Sequence, residues 1–120
     1  MNKKKFFRNW LKSHVYCVIA TAYQNKPWAA TVNYTTDDDL NIYISTSPAS
    51  LKYLNATRNS MVAVVVDSQT RAGTLQIQGE ARHLKGEPFR EPNLLVVPKY
   101  LIFKKKDEKR NKLTVMELQQ

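Results

Sequence analysis

Thr46, Ser47, Ser50 and Lys52 lie within one short stretch, and their types suggest a single kind of chemistry. Three hydroxyl donors are followed by one ammonium, at the point where the alternating run Leu40 to Ser45 gives way to a sequence with helix-start character. A helix start leaves backbone N–H groups without intrahelical partners, so hydroxyls and a lysine beside it make a seat for an anion, phosphate above all. The same residues also fit a plainer role, in which Ser47 caps a helix opened by Pro48 at its first position and Lys52 is solvated.

No other group of residues makes a reactive constellation. His14 and His83 are far apart, no Ser-His-Asp or metal-ligand spacing accompanies them, and each reads as a strand-end or surface residue. Cys17 sits in an apolar run and reads as packing rather than as a nucleophile. Asp37 to Asp39 lack the spaced ligands of a calcium loop and read as a solvated hairpin tip.

Several elements must position the hydroxyl-lysine stretch. Phe6, Phe7, Trp10 and Leu11 form one apolar stripe opposite Lys4, Lys5, Arg8 and Lys12, so residues 1–13 are expected to hold a helix of about three turns. Val15 to Tyr23 reads as a strand buried on both sides, and Gln24 to Pro27 turns the chain into a second strand, Trp28 to Thr35. After a turn at Thr36 to Asp39, Leu40, Ile42 and Ile44 alternate along a third strand. A helix is expected from Ser47 to about Thr57 with Leu51 and Leu54 inward, then strands at Met61 to Asp67 and Thr74 to His83. Gly86, Pro88, Pro92 and Pro98 mark residues 85–120 as an irregular segment followed by C-terminal strands, Tyr100 to Phe103 pairing with Leu113 to Leu118 across the charged turn Lys104 to Lys112. The fold class expected is mainly β with short helices, a six-stranded antiparallel split β-barrel in one domain spanning 1–120.

The 120 residues suit a single core, and the formal charge of +9 comes largely from Lys3 to Lys5 and Lys104 to Lys112. Charge placed in a terminal arm and a turn is ordinarily solvated, although it attracts phosphate-bearing ligands. One cysteine excludes an intrachain disulfide and fits a reducing, cytoplasmic setting. The basic start followed by Val15 to Ala22 imitates a secretory signal, but the helical spacing before it and the strand-like run itself argue against one. No stretch approaches the roughly 20 apolar residues needed to cross a bilayer.

Ile42 to Thr46 followed by Ser50-Leu51-Lys52 resembles the pyridoxamine 5'-phosphate oxidase-like, FMN-binding split-barrel superfamily. The resemblance runs from about Trp10 to Leu84, and Trp10-Leu11, Trp28-Ala29-Ala30 and Gly79-Glu80-Ala81-Arg82 are most similar to its small members. It implies FMN as cofactor, with Thr46, Ser50 and Lys52 on the phosphate side, next to Ser47, and the backbone of Val32 and Asn33, followed by Tyr34 and Thr35, along the flavin ring. It also implies a homodimer with the flavin at the interface, Thr74 and Gln76 reaching it from the partner subunit. Ala30 stands where oxidase-type members have an arginine, and Leu51 replaces the basic residue before the lysine, so the phosphate grip would depend on Lys52. With the chain ending soon after its last strand, true pyridoxamine 5'-phosphate oxidase activity is not expected. A flavin-dependent oxidoreductase with a small-molecule substrate is the leading expectation, since the flavin itself carries the redox chemistry. The alternatives are a split barrel binding haem or a deazaflavin, and a small basic barrel that stacks single-stranded nucleic acid on Tyr34, Tyr43 and Tyr53. Nucleic-acid and membrane partners are not favoured.

Overall fold

The computed structural model describes residues 2–68, 72–84 and 93–120. The chain is mainly β, with eight antiparallel strands rather than six, and two helices. Helix α1 (Lys3–Lys12) precedes β1 (Tyr16–Tyr23), β2 (Lys26–Asn33), β3 (Thr35–Thr36) and β4 (Ile42–Ser45). Helix α2 (Leu51–Arg58) then leads to β5 (Met61–Asp67), β6 (Thr74–Leu84), β7 (Asn93–Asp107) and β8 (Lys112–Gln119). The sheet runs in the order β2-β1-β5-β6-β7-β4-β3, and β8 pairs with the later half of β7.

The β1–β2 connection is tighter than the sequence suggests. Gln24 and Asn25 both take positive φ, as a two-residue hairpin of type I′ requires, so Lys26 and Pro27 already belong to β2. Alternation places Cys17, Ile19, Val62, Val64, Val66, Leu75, Ile77, Leu101 and Phe103 in one core. β1 is not buried on both sides as expected, because Tyr16 and Val18 remain exposed on the face away from that core.

The C-terminal region corrects the expectation of irregularity. β7 runs unbroken through Pro98, and the expected breaks at Gly86, Pro88 and Pro92 lie outside the described residues. A register shift between Gln78 and Gly79 sets Gly79 opposite Pro98, so the missing N–H of proline falls at an irregularity in the ladder. Gly79 is needed there, since a Cβ would come within 2.8 Å of the Val97 carbonyl oxygen. The expected hairpin across the charged turn is present and longer than anticipated, with Phe103 opposite Met116 and Asp107 opposite Lys112.

The apolar stripe of α1 covers the core. Phe7 and Leu11 are fully buried, and Phe6 and Trp10 each pack edge-on against Phe103 at 4.9 and 4.8 Å between ring centroids. The Trp10 indole donates to the Val66 carbonyl at 3.3 Å. The three aspartates lie at the tip of the β3–β4 hairpin, with Asp38 and Asp39 solvated as expected, and each has a partner. Asp37 accepts from the amides of Asp39 and Asn41, from the Asn41 side chain and from the Tyr43 hydroxyl, whereas Asp38 and Asp39 pair with Lys12 and Lys4 of α1. Among the described residues no helix is long and apolar enough to cross a membrane.

Candidate functional site

The segment between β4 and α2 differs from expectation in the position of its cap. Ser47 does not cap the helix. Its carbonyl accepts from the Ser50 amide at 3.0 Å and the Ser50 hydroxyl at 2.8 Å, and its own hydroxyl accepts from the Ala49 amide at 3.2 Å. These bonds hold Pro48 and Ala49 in a turn, and Ser50 becomes the N-cap, with its side chain accepting from the Tyr53 amide.

The face that α2 buries is also not the expected one, for Leu51 and Leu54 are exposed and Tyr53, Asn55 and Ala56 are buried. Polar pairing orients the helix. The Asn55 side chain donates to the buried Thr21 hydroxyl at 3.2 Å, and the Tyr53 ring meets His83 edge-on at 4.4 Å. The Thr57 hydroxyl donates to the Tyr53 carbonyl, which leaves its oxygen to accept from Nε2 of His83 at 2.9 Å.

Thr46 and Ser50 meet at 2.9 Å between their hydroxyl oxygens, Thr46 buried and Ser50 half-buried. Each hydroxyl has a single proton. That of Ser50 is directed to Ser47, so Thr46 donates to Ser50 and neither proton is free in this arrangement. The amides of Ala49, Ser50, Tyr53 and Leu54 are likewise bonded. Among the described residues, the Leu51 and Lys52 amides and the Lys52 ammonium have no partner within the chain. A phosphate group would therefore be held by two helix-start amides and one ammonium, a donor set that fits it in charge and kind. The hydroxyls would join only after turning away from their present bonds.

The remaining site residues lie on other elements. Val32 packs partly against the core, and Asn33 is exposed at the end of β2, opposite Tyr16. The Tyr34 hydroxyl donates to the Leu11 carbonyl at 2.6 Å, so this side chain secures α1. Burial, and next to it Cys17, raises the Tyr34 phenol above its ordinary pKa. Cys17 is itself pushed up to about 12 by burial, which keeps the thiol protonated. The Thr74 hydroxyl donates to Asp67 at 2.6 Å, and Gln76 points to the face away from the core. Within one chain these two residues do not converge on Thr46. The last turn of α2 is tied to His83, at the far end of β6 and roughly 30 Å from Thr74 by strand rise.

The sequence reading missed Gln78, Tyr100, Ile102 and Lys104. With Ala63, Val65 and Gln76 they line a groove of about 400 Å³ on the outer face of the sheet. The alternation of β6 was a signal for Gln78, but the other three could be found only through the pairing of β6 with β7. Among the described residues no group of three or more histidine, cysteine, aspartate or glutamate side chains could hold a metal ion.

The fold is shared with proteins of very different sequence. General Stress Protein 26 from Bacillus anthracis is 15% identical over 97% of this chain and 100% of that one, with a TM-score of 0.75. A heme binding protein from Mycobacterium smegmatis is 12% identical over 94% of this chain and 57% of that one, with a TM-score of 0.71. A pyridoxamine 5'-phosphate oxidase-related, FMN binding protein from Nostoc punctiforme is 10% identical over 97% and 94%, with a TM-score of 0.63. At such identities the likeness is one of fold alone. No curated protein matches the chain by sequence. The family model described as pyridoxamine 5'-phosphate oxidase matches residues 4–118, and the chain therefore belongs to the pyridoxamine 5'-phosphate oxidase family.

Proposed function

We propose that the protein is a homodimeric, FMN-binding split barrel that acts as a flavin-dependent oxidoreductase on a small molecule. The start of α2 is the observation that carries this reading: in a chain of this family, the helix opens with Leu51 and Lys52, their amides free, directly after the Thr46–Ser50 hydroxyl pair. Leu51 and Ala30 add no charge, so Lys52 supplies the cation for the phosphate. FMN when bound supplies two-electron transfer, and the protein's part is to hold and orient it.

Closure of the sheet into a barrel is part of the same reading. Only Tyr34 separates β2 from β3; β2 lies on β1 and β3 on β4, and one extended segment can thereby join the two ends of a ring made by β1, β2–β3, β4, β7, β6 and β5. The dimer reading draws on the outer face. Val18, Ala20, Ala63 and Val65 are adjacent in the β1–β5 pairing, with Gln76, Gln78, Ile102 and Tyr100 continuing the two rows across β6 and β7. A largely apolar face of this kind suits a second copy. It would bring Thr74 and Gln76 to the flavin from the partner.

The test is spectroscopic. The purified protein, or the protein titrated with FMN, should show bound-flavin absorbance and quenched flavin fluorescence. A Soret band would replace FMN by haem, and a colourless protein that retains nucleic acid and ignores FMN would overturn the flavin reading.

A further inference from the structure

Lys104 stands directly across from Thr74 in the β6–β7 pairing. Because side chains alternate along strands, Thr74, Gln76 and Gln78 share the outer face with Lys104, Ile102 and Tyr100. The groove there has an aliphatic floor of Ala63, Val65 and Ile102, and its polar groups are two carboxamides, a phenol and one ammonium. That combination suits a flat heteroaromatic ring with polar edges better than it suits a phosphate. Among the described residues Lys104 forms no ion pair, although Asp67 and Glu108 line the next groove along, the Asp67 Oδ1 accepts from Thr74, and Glu117, opposite Ile102 on β8, accepts from the Tyr100 phenol. The segment Thr46 to Lys52 offers one ammonium to a ligand whose ring becomes more negative when reduced.

Resting on the dimer and flavin reading above, we propose that Lys104 is a cofactor-binding residue supplied in trans. Its ammonium stands at the ring edge of the FMN held by the other protomer's Thr46 to Lys52 segment. A cation at that edge attracts the reduced, anionic ring more than the neutral oxidised one, so it tightens binding on reduction and raises the reduction potential. Lys52 and Lys104 thus divide the ligand between them, Lys52 taking the phosphate and Lys104 the ring.

The experiment uses the full chain titrated with FMN and with riboflavin. Lys104→Met keeps the length of the stem and removes the charge at an exposed position, so folding should be unaffected. Its affinity for reduced FMN should fall about tenfold more than its affinity for oxidised FMN, which for a two-electron couple lowers the midpoint potential by about 30 mV. Riboflavin should lose as much as FMN, in contrast to Lys52→Ala, and Lys104→Arg should restore the potential.

Heterodimers of Lys52→Ala with Lys104→Met chains test the arrangement in trans. One site then carries both changes and the other neither, so half the sites should bind with wild-type affinity; two sites each weakened by one of the changes, with none at wild-type affinity, would place Lys104 in cis and overturn the proposal. An unchanged potential in Lys104→Met, with wild type binding FMN normally, would also remove the Lys104 assignment but leave the flavin reading intact. Failure of wild type to bind FMN would remove both.

Discussion

The hydroxyl oxygens of Thr46 and Ser50 lie 2.9 Å apart, and the bond from Ser50 to the Ser47 carbonyl makes Thr46 the donor between them. The pair thus shapes the start of α2 before any ligand arrives. The charge offered to a phosphate comes from Lys52 and the dipole of the helix.

Lys52→Ala should therefore remove a charge-assisted contact worth on the order of 1.5 to 3 kcal/mol, a roughly ten- to hundredfold loss of FMN affinity. Riboflavin should bind wild type and variant almost equally. Thr46→Val should weaken FMN less than Lys52→Ala, and should lower stability by about 1 kcal/mol through the lost bond to Ser50. Flavin fluorescence titrations give the comparison, and equal FMN affinity for wild type and Lys52→Ala would reduce this segment to a capped helix start.

Tyr34→Phe should destabilise the fold by about 0.5 to 1.5 kcal/mol, because the Leu11 carbonyl would lose its buried donor and keep only the bond from the His14 amide at 3.4 Å. Loss of that bond should loosen α1 in particular. Denaturation midpoints and limited proteolysis between α1 and β1 measure both effects, and unchanged values would show that apolar packing alone holds the helix.

Asp37 gives the stability an acid limb. Burial acts to raise its pKa, but hydrogen bonds from Asn41, Tyr43 and the Asn41 and Asp39 amides outweigh it and hold the carboxyl below its ordinary range. A folded-state pKa below the unfolded one contributes stability that is present above about pH 4 and is lost as pH falls through the folded value. Asp37→Asn should flatten the stability profile between about pH 2 and 5 relative to wild type. A profile of unchanged steepness would assign the acid limb to other carboxylates.

Cys17 should react with thiol reagents far more slowly in the native protein than in denaturant, since burial keeps it as a neutral thiol. Rapid native labelling would mean that β1 opens readily.

The outer face predicts the state of assembly. Wild type should sediment as a dimer at micromolar concentration, and Ala63→Arg, which places a charge opposite Gln78 in the middle of that face, should sediment as a folded monomer. A wild type that is monomeric with and without FMN would remove the dimer and with it the supply of Thr74 and Gln76 in trans.

What could be read from the chain alone was whatever short-range periodicity encodes. The stripe of Phe7 and Leu11, the alternation of Leu75 and Ile77, and the hairpin that sets Phe103 opposite Met116 all follow from spacing within a few residues. The cluster from Thr46 to Lys52 was legible for the same reason. Spacing does not say which residues far apart in the chain become neighbours. The Thr21–Asn55 bond turned α2 away from the face implied by Leu51 and Leu54, and the Ser47 turn moved the cap to Ser50. Asp38 and Asp39 of the β3–β4 turn found their partners only when α1 brought Lys12 and Lys4 to them. Pro98 could lie within a strand because Gly79 met it at a shift of register, and the same pairing put Lys104 beside Thr74. Tertiary structure decided most of these points because hydrogen bonds and ion pairs form with the groups that the fold brings within reach, and for Thr21, Asp38, Asp39 and Thr74 the partners or strand neighbours come from distant parts of the chain or from another strand.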